Sequence, residues 1–331
     1  MTTNESKRNS TSSARLLLLL PLALSLAGCL LPGAAHESAT RPISRESTDA
    51  GESTPYATWQ QHSPGDIGED LYAESLSNGA LLYSSNRHSY EYKLYLREPD
   101  GGRLERLTEG PGDDAFAAVC PADQRIAFAS NRSGTWQLYL MNTFEDRTPE
   151  RLADLGVEAQ HPSWSPDGTR LAYSRRSPVT GEWEIWILTI ASHASERVTE
   201  GLFPVFSPAG DKLVFQRHRA RDAEWFSIWT IDLNGTHEQE IVSGPDWGAV
   251  NPDWSPDGGW IVFNSVSKSP HTRADTSLGD DIWCVRRDGT SLRRLTFKRT
   301  PEWNPTWSVD GRIFFSATDD SGQTAIWSLR P

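Results

Sequence analysis

Methionine is almost missing from this chain, with 2 in 331 residues, and cysteine is scarce at 3. So few thiols exclude a disulfide-stapled scaffold. With no CxxC and no His/Cys cluster at ligand spacing, they also exclude a structural zinc site. Basic stripes are missing too. The formal net charge is −12 and the pI is about 5.2, which argues against a nucleic-acid partner gripped by its phosphates. No G-x-S-x-G elbow occurs, and the repeats described below leave no room for a hydrolase domain. Helical periodicity is absent from the body of the chain, and no apolar run reaches the length that spans a bilayer.

What is present begins at the N-terminus. Lys7, Arg8 and Arg15 precede a short apolar stretch, LLLLLPLALSL, and then LAGC, Leu26 to Cys29. A basic segment followed by a short apolar one reads as an export signal. The tetrapeptide resembles the bacterial lipobox, which implies a diacylated Cys29 as the first residue of the mature protein. Leu30 rather than Asp follows it, so the expectation is lipid anchoring at the periplasmic face of the outer membrane. From Leu30 to about Pro55 the composition is Ser, Thr, Glu, Arg, Gly and Pro with hardly an aromatic, which suits a flexible tether. The expected domains are 1–28 signal peptide, 29–55 lipidated Cys and tether, and 56–331 the folded body.

That body repeats itself. HPSWSPDGTRLAYS at 161–174 returns as NPDWSPDGGWIVFNS at 251 and NPTWSVDGRIFFS at 304. Aligned on the Trp of WSPDG, six units appear, at Ser75, Val119, Trp164, Phe206, Trp254 and Trp307. An aliphatic–aromatic pair follows in each: Leu94-Tyr95, Leu138-Tyr139, Ile185-Trp186, Ile228-Trp229, Ile282-Trp283 and Ile326-Trp327. A period of about 45 residues made of short strands and turns points to the blades of an all-β, six-bladed β-propeller. Each blade is four antiparallel strands, for example PSWS as strand A, RLAYS as B, EIWIL as C and ERVT as D. Ser-Pro-Asp-Gly suits the A–B turn, because Pro presets φ, Asp accepts a local hydrogen bond and Gly takes positive φ. The last unit stops after IWSLRP without a D strand, so residues 56–61 are expected to pair there and close the ring. Cys120 and Cys284 fall in separate blades and are expected as buried thiols.

These phrases, with DIWCVRRDGTSLRRLT after the fifth, resemble the PD40 repeats of the TolB-like β-propeller family over about residues 56–331. The resemblance implies the propeller fold, and such propellers also occur in oligogalacturonate lyases and beside the catalytic domain of prolyl oligopeptidases. TolB itself carries an α/β domain ahead of its propeller, where this sequence has only the tether. The expectation is therefore a TolB-like propeller as a lipoprotein without that domain.

Propeller geometry puts D–A and B–C loops on one face and A–B and C–D loops on the other. The D–A loops hold eleven acids against two bases, Lys298 and Arg299. Such a rim focuses a negative field that favours a cationic segment or a divalent cation. Asp70, Asp113 and Asp114 are its candidate residues. Three residues before each aligned position stand Tyr72, Phe116, His161, Phe203, Asn251 and Asn304, which vary while their flanks repeat, as a grafted site would. The B–C loops add Arg175, Arg176, Arg217, Arg219 and Arg221 as a basic outer rim, and a long insertion at 265–281. The expected function is a non-catalytic, TolB-like binding module: a monomeric envelope lipoprotein holding a protein or peptidoglycan-associated partner at an acidic channel mouth. No cofactor, no nucleic acid and no catalytic residue are expected, and the only membrane contact is the lipid. The alternative is a metal-dependent lyase acting on a saccharide, with His161, His218 and His271 drawn together by adjacent blades.

Overall fold

The computed structural model describes residues 59–331 apart from 144–146, 153–155, 220–224, 245–246, 268–279, 298–299 and 320. The lipobox, the tether, Arg221, His271, Lys298, Arg299 and most of the long insertion lie outside the described residues.

Six four-stranded antiparallel sheets follow one another along the chain. Blade 1 is β2 (Asp70–Ser75), β3 (Leu81–Ser85), β4 (Lys93–Arg97) and β5 (Leu104–Arg106). Blade 2 is β6 (Asp114–Val119), β7 (Ile126–Ser130), β8 (Gln137–Met141) and β9 (Glu150–Arg151). Blade 3 is β10 (Ala159–Trp164), β11 (Arg170–Arg176), β12 (Trp183–Thr189) and β13 (Ala194–Glu200). Blade 4 is β14 (Leu202–Phe206), β15 (Lys212–His218), β16 (Phe226–Asp232) and β17 (Gln239–Val242). Blade 5 is β18 (Trp247–Trp254), β19 (Trp260–Ser267), β20 (Ile282–Arg286) and β21 (Arg293–Arg294). Blade 6 is β22 (Glu302–Trp307), β23 (Ile313–Thr318) and β24 (Thr324–Leu329), completed by β1 (Gln60–Gln61). The six aligned positions of the sequence repeat are the last residues of the six A strands.

Neighbouring A strands touch in a closed cycle, β2 with β6, β6 with β10, and so on to β22 with β2. The strand-B runs supply the core between blades: Tyr83, Phe128, Tyr173, Phe215, Phe263 and Phe315 are all fully buried. Tryptophans tie the inner ring together. Trp164 Nε1 donates to the carbonyl of Ala118 at 3.1 Å, and Trp254 Nε1 to that of Val205 at 3.2 Å, each in the preceding blade. The SPDG turns behave as expected. In blade 3, Asp167 accepts from the Ser165 hydroxyl (2.6 Å) and from Thr169 N (3.0 Å), which holds its carboxyl at about 2. Cys120 and Cys284 are buried free thiols.

Closure comes from the N-terminal strand, as the missing D strand implied. Gln60 pairs with Ser328 and Gln61 with Trp327. The chain then stays on the same edge: His62 N donates to Ile326 O and Ile326 N donates to Ser63 Oγ, both at 2.8 Å. Trp59 packs edge-on against Phe315 at 4.9 Å. Closure by so short a strand, two residues among those described, leans on that ring contact. Trp59→Ala should therefore cost about 2 kcal/mol in chemical denaturation. A variant within about 0.5 kcal/mol of the parent would show that closure does not depend on this side chain.

Candidate binding site

Each A strand carries a bulge at the position that varies between blades. Pairing with strand B slips between Leu71 and Glu74, Ala115 and Ala118, Gln160 and Ser163, Leu202 and Val205, Val250 and Asp253, and Trp303 and Thr306. Inside these slips Tyr72, Phe116, His161, Phe203, Asn251 and Asn304 take φ between 51° and 56°. Left-handed backbone is costly for any residue with a Cβ, and least so for Asn. The sequence had these six entering strand A at the mouth; they stand within the strand instead and line the central channel.

Four of them form an aromatic layer. Tyr72 meets Phe116 at 4.4 Å, Phe116 meets His161 at 4.4 Å, and His161 stacks on Phe203 at 3.6 Å. The other two make an amide lip, where Asn251 Nδ2 donates to Asn264 Oδ1 at 3.0 Å. The bulge amides reach back to strand B of the blade before. Phe203 N donates to Ser174 Oγ (3.1 Å), Asn251 N to Gln216 Oε1 (2.7 Å) and Asn304 N to Asn264 Oδ1 (3.3 Å). His161 is buried, its Nδ1 has no partner, and desolvation lowers its pKa to about 3, so the ring is neutral.

A cavity of about 250 Å³ continues from this layer along the A strands to Trp164, Phe206 and Trp307, and to Pro121 of an A–B turn. Among the described residues no D–A loop lines it. The cavity thus lies on the A–B side of the aromatic layer. Two carboxylates that the sequence reading did not single out face it, Glu74 and Asp253. Asp253 accepts from Trp307 N (2.6 Å), Trp254 N (2.8 Å) and Thr306 Oγ1 (3.1 Å). Burial pushes Asp253 up to about 6. Burial, with the neighbouring Asp253, pushes Glu74 up to about 8. Comparing the residue just before each aligned position, Glu, Ala, Ser, Val, Asp and Thr, would have found both.

Two of the D–A acids depart from the expected open rim. Asp70 and Asp114 are not an open acidic rim; both are fully buried, and each binds an arginine of its own blade's B–C loop. Arg87 Nη2 lies 3.1 and 2.9 Å from the oxygens of Asp70, and Arg132 Nη2 lies 2.8 and 3.0 Å from those of Asp114. Asp113 is engaged as well, accepting from Tyr92 N at 2.9 Å. The clamp repeats in sequence as Gly-acid-Asp with Ser-Asn-Arg. Asn86 and Asn131 accept from Glu69 N and Asp113 N at 2.7 Å. A Cβ on Gly68 or Gly112 would sit 2.3 Å from those amide oxygens, at φ +72° and +80°, so glycine is required there. Of the basic rim, Arg217 pairs with Glu238 at 2.7 and 3.0 Å and stacks 4.1 Å over Trp229. Arg219 donates its backbone N–H to Trp225 O at 3.0 Å.

The histidines of the alternative reading have separate settings. His161 lies in the channel layer, and the His218 ring packs 3.9 Å from Phe226. No group of three His, Cys, Asp or Glu able to hold a metal ion occurs among the described residues.

The profile of the TolB β-propeller domain, PD40, matches residues 160–330. The chain belongs to that family. An uncharacterized protein of Agrobacterium fabrum is 29% identical over 198 residues, 56% of this chain and 66% of that one. A TolB homologue of Chlorobium luteolum is 28% identical over 161 residues, 46% of this chain and 35% of its own. The match spans less than two thirds of either relative. Among solved structures, a putative TolB from Agrobacterium tumefaciens superposes with a TM-score of 0.55 at 25% identity, covering 66% of this chain and 74% of that one.

The clamp in this TolB-family propeller generates a stability prediction. Asp114→Asn leaves Arg132, and Lys93 at 3.8 Å, without their shared counter-charge in the interior. Denaturant unfolding should register a loss of about 3 kcal/mol. A loss under about 1 kcal/mol would mean that the pair adds nothing to the fold.

Proposed function

We propose that this protein is a non-catalytic binding module of the bacterial cell envelope, held by a lipid on Cys29, that docks an envelope protein on its D–A and B–C loop face. The observation that carries the reading is where apolar side chains are left in water. Of the five large hydrophobic residues that stand exposed among the described residues, four lie in these loops: Ile67, Tyr90, Val179 and Phe297. Tyr90 is 92% exposed and Val179 90%. Aromatic side chains of this kind serve as anchors on partner surfaces. Charges on the same face are largely satisfied internally, so apolar contact rather than steering by free acids supplies the affinity. Likeness to a protein named as a TolB homologue supports an envelope setting, as does the lipobox-like LAGC.

Affinity capture from native envelopes with the full-length chain tests the docking face. Tyr90→Glu combined with Phe297→Glu should weaken capture of the partner by roughly thirtyfold or more, since two buried aromatic anchors at about 1–2 kcal/mol each together contribute at least about 2 kcal/mol. A captured set unchanged by both substitutions would sink the assignment of this face. For the anchor, mass spectrometry should detect a diacylglycerol adduct on Cys29 that disappears in Cys29→Ser; an unmodified Cys29 would remove the lipid from the reading.

A further inference from the structure

Three buried carboxylates among the described residues meet a base. Asp70 has Arg87, Asp114 has Arg132, and Asp281 has Arg294 at 2.8 Å. Glu74 and Asp253, half-buried in the channel wall, differ. Neither has a basic partner among the described residues, and no Lys or Arg lines the cavity they face. Its titratable lining is Tyr72, Glu74, His161 and Asp253. Other unmet groups converge on the same space. His161 is more than nine-tenths buried with Nδ1 unpartnered, and the Asn304 side-chain oxygen, also in the lining, has no hydrogen-bond partner.

We propose that the channel cavity binds the protonated head of an organic base, an alkylammonium or alkylguanidinium group, between Glu74 and Asp253. Such heads carry donors and no acceptor, which matches a wall of carboxylate, amide and neutral imidazole acceptors. Aromatic rings bound the carboxylates on both sides along the channel, Tyr72, Phe116 and Phe203 at one end and Trp164 and Trp307 at the other. Rings so placed attract a desolvated cation. A divalent metal fits less well: it needs about six oxygen ligands, and among the described residues no group of three His, Cys, Asp or Glu is placed to hold one. The volume of about 250 Å³ accommodates the head and a short stem. The base is either a free small molecule or the side chain of a bound protein. This site does not rest on the loop-face docking above, because it lies on the other side of the aromatic layer.

Affinity should depend on pH in one direction. Glu74 near 8 and Asp253 near 6 hold protons at low pH, and each proton lost restores a charge that attracts the ligand. Burial pushes Tyr72 far above the phenol range and His161 down to about 3, so neither changes charge across that interval.

Calorimetric titration of the full-length chain tests the site. The probes are n-butylammonium and n-butylguanidinium, with n-pentanol and butyrate as neutral and anionic counterparts. The cations should bind saturably at one site, tighten as pH rises from roughly 5 to 8, and weaken by about tenfold or more in Glu74→Gln. Glu74→Gln keeps the test sound if Asp253→Asn, whose parent carboxylate receives two backbone N–H groups, fails to fold. An acetyl-Gly-Arg-Gly-amide probe that binds as well as n-butylguanidinium identifies a protein side chain as the source; binding of the small cations alone identifies a free solute. Either of two outcomes overturns the proposal: n-pentanol binding as tightly as the cations, or no saturable cation binding that Glu74→Gln weakens.

Discussion

The left-handed bulge in every A strand is the constraint on which the rest of the molecule depends. A regular strand would alternate its side chains between channel and blade; two residues against one at the bulge redirect the strand and set a side chain into the lumen. For the four ring-bearing residues that backbone costs about 1–2 kcal/mol each. Two sources offset it. In blades 4, 5 and 6 the bulge N–H is captured by Ser174, Gln216 or Asn264 of the preceding blade. In blade 3 the corresponding position of blade 2 is Ala129, which offers no acceptor side chain, and there the His161 ring has the closest stacking, 3.6 Å onto Phe203. Aromatic pairs of this kind contribute about 0.5–1.5 kcal/mol. The ring thus holds strained backbone in place with contacts that exist only when neighbouring blades are assembled.

Much of this was legible in the amino-acid order. Trp164, Trp254 and Trp307 and their counterparts fix the end of each A strand, so counting them counts the blades. The missing D strand after Ile326-Trp327 implies closure from the N-terminal side. Even the six variable positions are visible, since Asn251 and Asn304, residues that tolerate positive φ, share a column with His161. Why that column accepts Phe203 is not visible, because its bulge N–H is captured by Ser174, which belongs to the preceding blade.

Electrostatics were less readable for a physical reason. Eleven acids in the D–A loops look alike as charges. Whether one radiates a field depends on what the next loop brings to it. Gly68 and Gly112 let Asn86 and Asn131 approach, and that approach carries Arg87 and Arg132 onto Asp70 and Asp114. The charge is then spent inside the blade. Ser-Asn-Arg occurring twice, 15 to 18 residues after a Gly-acid-Asp, was the available clue.

Charge in this propeller is consequently divided by location. At the loop face, Asp70, Asp114 and Asp281 are cancelled by arginines of their own blades, while apolar side chains such as Tyr90 stay exposed. In the channel the opposite holds. Glu74 and Asp253 share a cavity without a base, and their elevated proton affinity records that imbalance. A carboxylate kept in such a place is costly to the fold unless something cationic, a proton at least, accompanies it. A purely structural lumen could have used Ala118 or Val205, as blades 2 and 4 do at the same column. Two acids at that column in blades 1 and 5, with Thr306 of blade 6 donating to Asp253, are what a ring of otherwise interchangeable units would carry if its axis serves to recognise positive charge.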